Sequence, residues 1–138
     1  MPRYEDVVLI VEGWSDHDQL QLAYPGIETI VIYGTRVVPA LCTIRNAIMD
    51  KKRVFIMTDP DKTGDWSAKA IQKAFPKLVR VEIDPGQSRS LGNKGWHYGV
   101  EYCSVEYLRY VLDPILSGDY LTFPRYLGVD GILSCGVS

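Results

Sequence analysis

Two short apolar runs constrain this chain more than anything else in it. Val7–Val11 reads Val-Val-Leu-Ile-Val and leads directly into Glu12-Gly13. Val54–Met57 reads Val-Phe-Ile-Met and leads through Thr58 into Asp59-Pro60-Asp61. Runs of this length, apolar at every position, read as strands buried on both faces, as in parallel sheets covered by helices. Thr29–Tyr33 reads the same way. Val79, Val81 and Ile83 alternate with Arg80 and Glu82, so a fourth strand is expected at a sheet edge with one wet face.

Helical periods fill the gaps. Ser15 or Asp16 is the expected N-cap of a first helix running to Tyr24, where Pro25-Gly26 stops it. Val37, Leu41, Ile44 and Ile48 would form one apolar face of a second, with Cys42 as a small buried hydrophobe. Trp66, Ala70, Ile71, Ala74 and Phe75 would form the inner face of a third, closed by Pro76. Ser104 would cap a fourth, with Val105, Leu108, Val111, Leu112 and Ile115 inward. The alternation predicts an α/β fold with about four parallel strands and helices on both faces. Right-handed crossovers restrict the topology; the first and third strands are expected side by side at the centre, and ligands in such sheets bind beyond the carboxyl ends of the strands. Asp84–Gly99 is expected to be a long loop, of a length that is usually functional or mobile. A catalytic domain is expected over 1–116, with a C-terminal extension of unassigned structure over 117–138.

Length and charge narrow the function. One domain is the natural size for 138 residues. No apolar run approaches the roughly 18 residues a membrane span needs, and no secretory leader is visible, so a soluble cytoplasmic protein without a membrane partner is expected. The three cysteines, Cys42, Cys103 and Cys135, show no paired spacing, which argues against a disulfide scaffold and structural zinc. The net charge of −2 argues against a broad non-specific nucleic-acid surface, which is usually basic.

The chemistry sits at the strand ends. On adjacent parallel strands Glu12, Asp59 and Asp61 would converge on one crevice, with the two aspartates on one face of an extended segment. Magnesium takes oxygen ligands, keeps several waters and is typically held by one or two carboxylates plus substrate phosphate. Manganese is the expected substitute. Clustered carboxylates repel, and a cation relieves them while stabilising charge on attacking and leaving oxygens. Glu12 is a metal ligand or a general acid–base group on this reading. Gly13 and Gly64 permit close backbone approach. Asp16 and Asp65 are either supporting acids or helix caps. Arg36, Lys62 and Lys94 are candidates for phosphate contact. His97, between Trp96 and Tyr98, is a candidate for touching nucleic acid, with Trp96 expected to anchor its loop on the core. His17 is expected to be a half-exposed residue of the first helix turn.

Two segments carry a family resemblance. Val11-Glu12-Gly13-Trp14-Ser15-Asp16 and Thr58-Asp59-Pro60-Asp61-Lys62-Thr63-Gly64-Asp65 resemble the paired signature motifs of the Toprim family, which includes topoisomerase and primase catalytic domains and small nucleases. The resemblance implies a compact Rossmann-like Toprim fold, Glu12 as acid–base residue, and Asp59 and Asp61 as magnesium ligands. Within the family the pattern is most similar to the bacterial ribonucleases that mature 5S ribosomal RNA, through the second motif, Gly34-Thr35, Lys94-Gly95 and Gly99-Val100-Glu101. That places Gly34 and Lys94 near substrate and Glu101 near the site. It departs from the pattern at Tyr33, where asparagine is common, and at the inserted Trp96-His97-Tyr98.

Three functions follow from these residues. The first is a magnesium-dependent nuclease with RNA favoured over DNA, with or without a protein partner that supplies substrate binding. The second is a phosphatase of the haloacid-dehalogenase type, since Asp59-Pro60-Asp61-Lys62-Thr63 fits its Asp-x-Asp-x-Thr motif with Asp59 as nucleophile. Against it, two strand–helix units precede the motif, and a later acidic pair is missing. The third is a non-catalytic nucleic-acid-binding module of the same fold.

Overall fold

A computed structural model describes residues 2–33 and 36–118. Strands β1 (Val7–Val11), β2 (Glu28–Val31), β3 (Arg53–Ile56) and β4 (Val79–Arg80) form one parallel sheet in the order β2-β1-β3-β4. Helices α1 (Trp14–Ala23), α2 (Val37–Met49) and α3 (Lys62–Ala74) connect them in turn, and α4 (Val105–Leu116) follows. The first and third strands are therefore neighbours at the centre, and the fourth lies at the edge.

The period of a strand divides the core in two. Val7, Leu9 and Val11 point to one face, where they pack with Leu20 and Ala23 of α1 and Leu108, Val111, Leu112 and Ile115 of α4. Val8 and Ile10 point to the other, where they meet Val37, Ala40, Ile44 and Ala47 of α2 and Ala68 and Ile71 of α3. All five β1 residues are inaccessible to solvent, and that is why the run carries no polar alternation. Arg53 ties the base of the sheet together: its guanidinium donates to both Asp6 carboxylate oxygens, at 2.9 Å each, and to the Leu116 carbonyl at 2.7 Å. No helix among the described residues is long and apolar enough to cross a membrane.

The structure corrects several expectations. α1 is capped by Gly13, with Asp16 at the third helical position reaching back to accept from the Gly13 amide at 3.1 Å. Ser15 and Asp16 are therefore inside the helix. The buried face of α2 runs through Ala40 and Ala47, leaving Leu41 half-buried, Ile48 at the rim and Cys42 exposed. Ala40 and Ala47 share the face turned to the sheet with Val37 and Ile44. Trp66 is exposed, because Gly64, Ser67, Ala68 and Ile71 form the inner face of α3. β4 ends at Arg80, although Val81 and Ile83 remain buried and the Val81 amide still donates to the Ile56 carbonyl.

The segment 84–99 is not an irregular loop. It opens with one 3-10 turn, Pro85–Gln87, and continues as an antiparallel hairpin of β5 (Arg89–Gly92) and β6 (Gly95–Tyr98). Asn93 and Lys94 make the tight connection, and Gly95 supplies the positive φ of +109° that closes it. Trp96 does not anchor the hairpin on the core. It is exposed, with the Arg89 guanidinium 4.0 Å from its ring centroid. Residues 119–138, and with them Cys135 and nearly all of the expected C-terminal extension, lie outside the described residues.

Candidate active site

Parallel pairing of β1 with β3 brings the strand-end acids together. The register sets Ile10 opposite Ile56, which carries Glu12 level with Thr58 and next to Asp59. Glu12, Asp16, Asp59, Asp61 and Glu101 line one open cavity of about 360 Å³, with Gly13, Ser15 and Thr63. Three further elements deliver the other acids. Asp16 comes from the first turn of α1, and Asp61 is the N-cap of α3, its Oδ1 accepting from the Gly64 amide at 2.7 Å. Glu101 comes from the 3-10 turn Val100–Tyr102. Two helix N-termini thus face the cluster, and their partial positive charge favours carboxylates there.

Backbone amides fix the buried acids. The Asp59 amide donates to Glu12 Oε2 at 3.3 Å, the Val100 amide to Asp59 Oδ1 at 3.2 Å, and the Glu101 amide to Asp16 Oδ1 at 3.0 Å. Glu12 is only 8% exposed, and its Oε1 is buried with no hydrogen-bond partner. An unpaired buried acceptor carries a desolvation penalty of about 1–3 kcal/mol. Burial, with the Glu12 carboxyl against it and Asp61 nearby, pushes Asp59 up to about 9. Burial and the charge of Asp59 push Asp16 up to about 7. Without a cation the crowded cavity favours protonated Asp59 and Asp16 over their charged forms.

A hard cation suits that arrangement. It would satisfy Glu12 Oε1, lower the repulsion that raises Asp59, and fit the all-oxygen donor set. Among the described residues, no three His, Cys, Asp or Glu side chains form a ready-made metal-binding group. Magnesium does not require one, since it keeps waters and takes part of its shell from phosphate.

The other expected site residues divide. Glu101 lies in the cavity, and Asp16 is a buried member of the cluster. Gly64 is a close-approach position: a Cβ there would fall 1.8 Å from the Asp59 carbonyl oxygen. Asp65 is neither a cap nor a cavity residue. It pairs at 2.6 Å with Arg80, whose other nitrogen donates to the Asp59 carbonyl at 2.8 Å. Arg36, Lys62, Lys94 and His97 do not line the cavity. Lys62 begins α3, Lys94 is in the hairpin turn, His97 is exposed on β6, and Arg36 belongs to a neighbouring pocket. Gly34 lies outside the described residues. His17 is half-buried as expected, with Nδ1 2.7 Å from Thr29 Oγ1.

Sequence reasoning missed two supports. Thr58, fully buried, donates from Oγ1 to the Gly64 carbonyl at 2.8 Å and so locks the strand–helix turn. Arg80 holds Asp59 from behind. Its only signal was its place on the wet side of an alternating strand.

No protein-family model matches the chain. Curated proteins do. Ribonuclease M5 of Lactococcus lactis subsp. lactis (strain IL1403) is 29% identical over 115 residues, covering 83% of this chain and 54% of that protein. Ribonuclease M5 1 of Ligilactobacillus salivarius (strain UCC118) is 28% identical over 136 residues, covering 92% and 69%. Ribonuclease M5 of Bacillus subtilis (strain 168) is 27% identical over 108 residues, covering 78% and 56%. The chain therefore spans little more than half the length of the Lactococcus and Bacillus proteins. In sequence the chain is ribonuclease M5-like, and its four-stranded parallel sheet flanked by helices is consistent with a Toprim or Rossmann-like fold.

Proposed function

We propose that this chain is a magnesium-dependent Toprim endoribonuclease of the cytoplasm, acting on structured RNA of the ribosomal-precursor kind. One observation carries the reading: beyond the ends of neighbouring parallel strands, buried Glu12 lies against half-buried Asp59, and Glu12 Oε1 has no hydrogen-bond partner. The relatives' name, ribonuclease, favours RNA over DNA. Glu12, Asp59 and Asp61 would hold the ion, with manganese as a substitute. Asp16 and Glu101 complete the negative field. When bound, magnesium would stabilise charge on the attacking and leaving oxygens of the phosphodiester. Where Asp59 and Asp61 alone hold the ion, Glu12 would instead serve as the general acid or base of cleavage. Arg80 and Thr58 keep Asp59 and the turn after it in position. With a net charge of −2, a protein partner that supplies part of the grip on RNA belongs to the same reading.

The test is direct. Purified chain with magnesium is expected to cut a structured ribosomal RNA precursor at defined positions, and EDTA should abolish the cutting. A panel of structured, duplex and single-stranded RNAs left intact with magnesium and with manganese would overturn the assignment.

Metal-free stability offers a second measurement. Asp59 and Asp16 are both raised in the folded protein, so the folded state binds more protons than the unfolded one. Their stabilisation is complete below the ordinary carboxylate range and is lost as pH rises through about 7 for Asp16 and about 9 for Asp59. In EDTA the melting temperature should therefore fall between pH 5 and pH 9 (roughly the window between unfolded and folded values). Millimolar magnesium should raise it more at the alkaline end. A melting temperature flat across that window, with and without magnesium, would contradict the crowded-carboxylate account.

A further inference from the structure

Beside the acidic cavity is a second pocket, of about 410 Å³, lined by Trp14, Thr29, Val31, Tyr33, Arg36 and Thr43 among others. It opens at the ends of β2 and β1, and only Gly13 separates Trp14 from Glu12 along the chain. Their Cα atoms are therefore no more than about 7 Å apart. The two cavities share one rim of the sheet.

The pocket's aromatic residues are exposed yet held. Trp14 is 55% exposed and Tyr33 57%. The Trp14 indole nitrogen donates to the Tyr33 hydroxyl at 2.9 Å, and the indole packs edge-on against His17 at 5.2 Å. His17 is itself fixed to Thr29. Tyr33 adopts a φ of +52°, a conformation that bulky residues rarely take. An exposed indole braced by one hydrogen bond and one edge-on ring contact contributes little to the core. It does present a flat surface that loses little freedom when something stacks on it.

We propose that Trp14, Tyr33 and Arg36 form a subsite that receives an unpaired base of the RNA strand next to the phosphodiester held at the acidic cavity, an inference that rests on the ribonuclease reading. The occupant is argued from charge and shape. Carboxylates crowd the neighbouring cavity, so the phosphate backbone gains little from a close approach except where a cation intervenes. A neutral base with a π-face is attracted without that penalty. Among the described residues, Arg36 is the one cation lining the pocket, suited to a base edge or an adjoining phosphate. The volume falls in the range of small-ligand pockets. His17 is a positioning residue here, acting through Trp14.

The test is a binding measurement that does not need cleavage. In a W66F/W96F protein, Trp14 is the sole tryptophan. In EDTA its fluorescence should be quenched by a short single-stranded oligoribonucleotide. W14A is expected to weaken binding of that oligonucleotide about tenfold. An oligonucleotide made abasic in its central nucleotides should lose most of the quenching. In the cleavage reaction, W14A should raise KM more than it lowers kcat. Y33F keeps the ring and loses the hydroxyl that holds the indole, so it should give a smaller shift in the same direction. Equal quenching by the abasic oligonucleotide, or unchanged affinity in a folded W14A protein, would overturn the subsite. Quenching without any RNA cleavage by the wild-type chain would uphold the subsite and overturn the nuclease reading instead. Cleavage with an unchanged W14A KM would do the reverse.

Discussion

E12Q is expected to lower magnesium-dependent RNA cleavage by at least about a hundredfold while leaving the metal-free protein folded and more stable. The two effects have one origin. Glu12 lies 8% exposed against Asp59, with one oxygen unpartnered. In the resting protein that arrangement is a liability. Glutamine removes one negative charge from the cluster and can keep the acceptor that receives the Asp59 amide. Loss of a proton-transferring group costs about 10²–10⁴ in rate, and where Glu12 holds the ion the lost ligand oxygen lowers the rate instead. D59N should behave alike. Its amide oxygen can still accept from the Val100 amide, and it mimics the neutral carboxyl that Asp59 favours below about pH 9. Both variants should melt at or above the wild-type temperature in EDTA, and both should lose the magnesium-induced rise. A general loss of fold would lower activity and melting temperature together. Wild-type cleavage rates in both variants would remove Glu12 and Asp59 from the site.

How much of this was legible beforehand follows a physical line. β1 and β3 were legible because burial on both faces leaves no room for polar residues, and an uninterrupted Val-Val-Leu-Ile-Val admits few other readings. Their adjacency was expected of two wholly apolar strands at the centre of such a sheet, and from it followed the meeting of Glu12 with Asp59. The helix faces were less legible. On α2 and α3 the face turned to the sheet includes alanine, serine and glycine beside larger apolar residues, so Leu41, Ile48 and Trp66 were wrongly placed inward. The hairpin was hidden because Arg89-Ser90-Leu91-Gly92 has no apolar alternation and buries none of its residues fully. Its pairing comes from backbone hydrogen bonds and a glycine at positive φ. Arg80 was illegible for another reason. It acts on a main-chain carbonyl, and no side-chain pattern reports that. Arg36, Lys62 and Lys94 stand outside the lining of the acidic cavity, because a cation's type says nothing about which edge of the sheet it occupies.

Gly64 tests the strand–helix turn most severely, because two general rules there predict opposite signs. It lies in the first turn of α3, and replacing a helical glycine by alanine ordinarily stabilises by up to about 1 kcal/mol. Here the added Cβ would stand 1.8 Å from the Asp59 carbonyl oxygen, 2.7 Å from its carbon and 2.9 Å from its nitrogen. Every one of these is backbone, so no side-chain rotation relieves the overlap. The strand end must move or the helix must lift. The first displaces Asp59 from Glu12 and from the Arg80 guanidinium. The second breaks the Asp61 cap and the Thr58 bond to the Gly64 carbonyl. Overpacking alone costs about 1–3 kcal/mol and occasionally more, and the lost cap adds about 1 kcal/mol. The clash therefore outweighs the propensity gain. G64A should melt about 10 °C lower, and its cleavage should fall with Asp59 out of register, even at temperatures where circular dichroism reports a folded protein. Ser67 is the control: it is buried one turn further along the same helix face, and S67A should keep its activity. A G64A protein as stable as wild type would mean that the approach of α3 to the Asp59 backbone is looser than 1.8 Å implies, and the rigid placement of Asp59 would go with it.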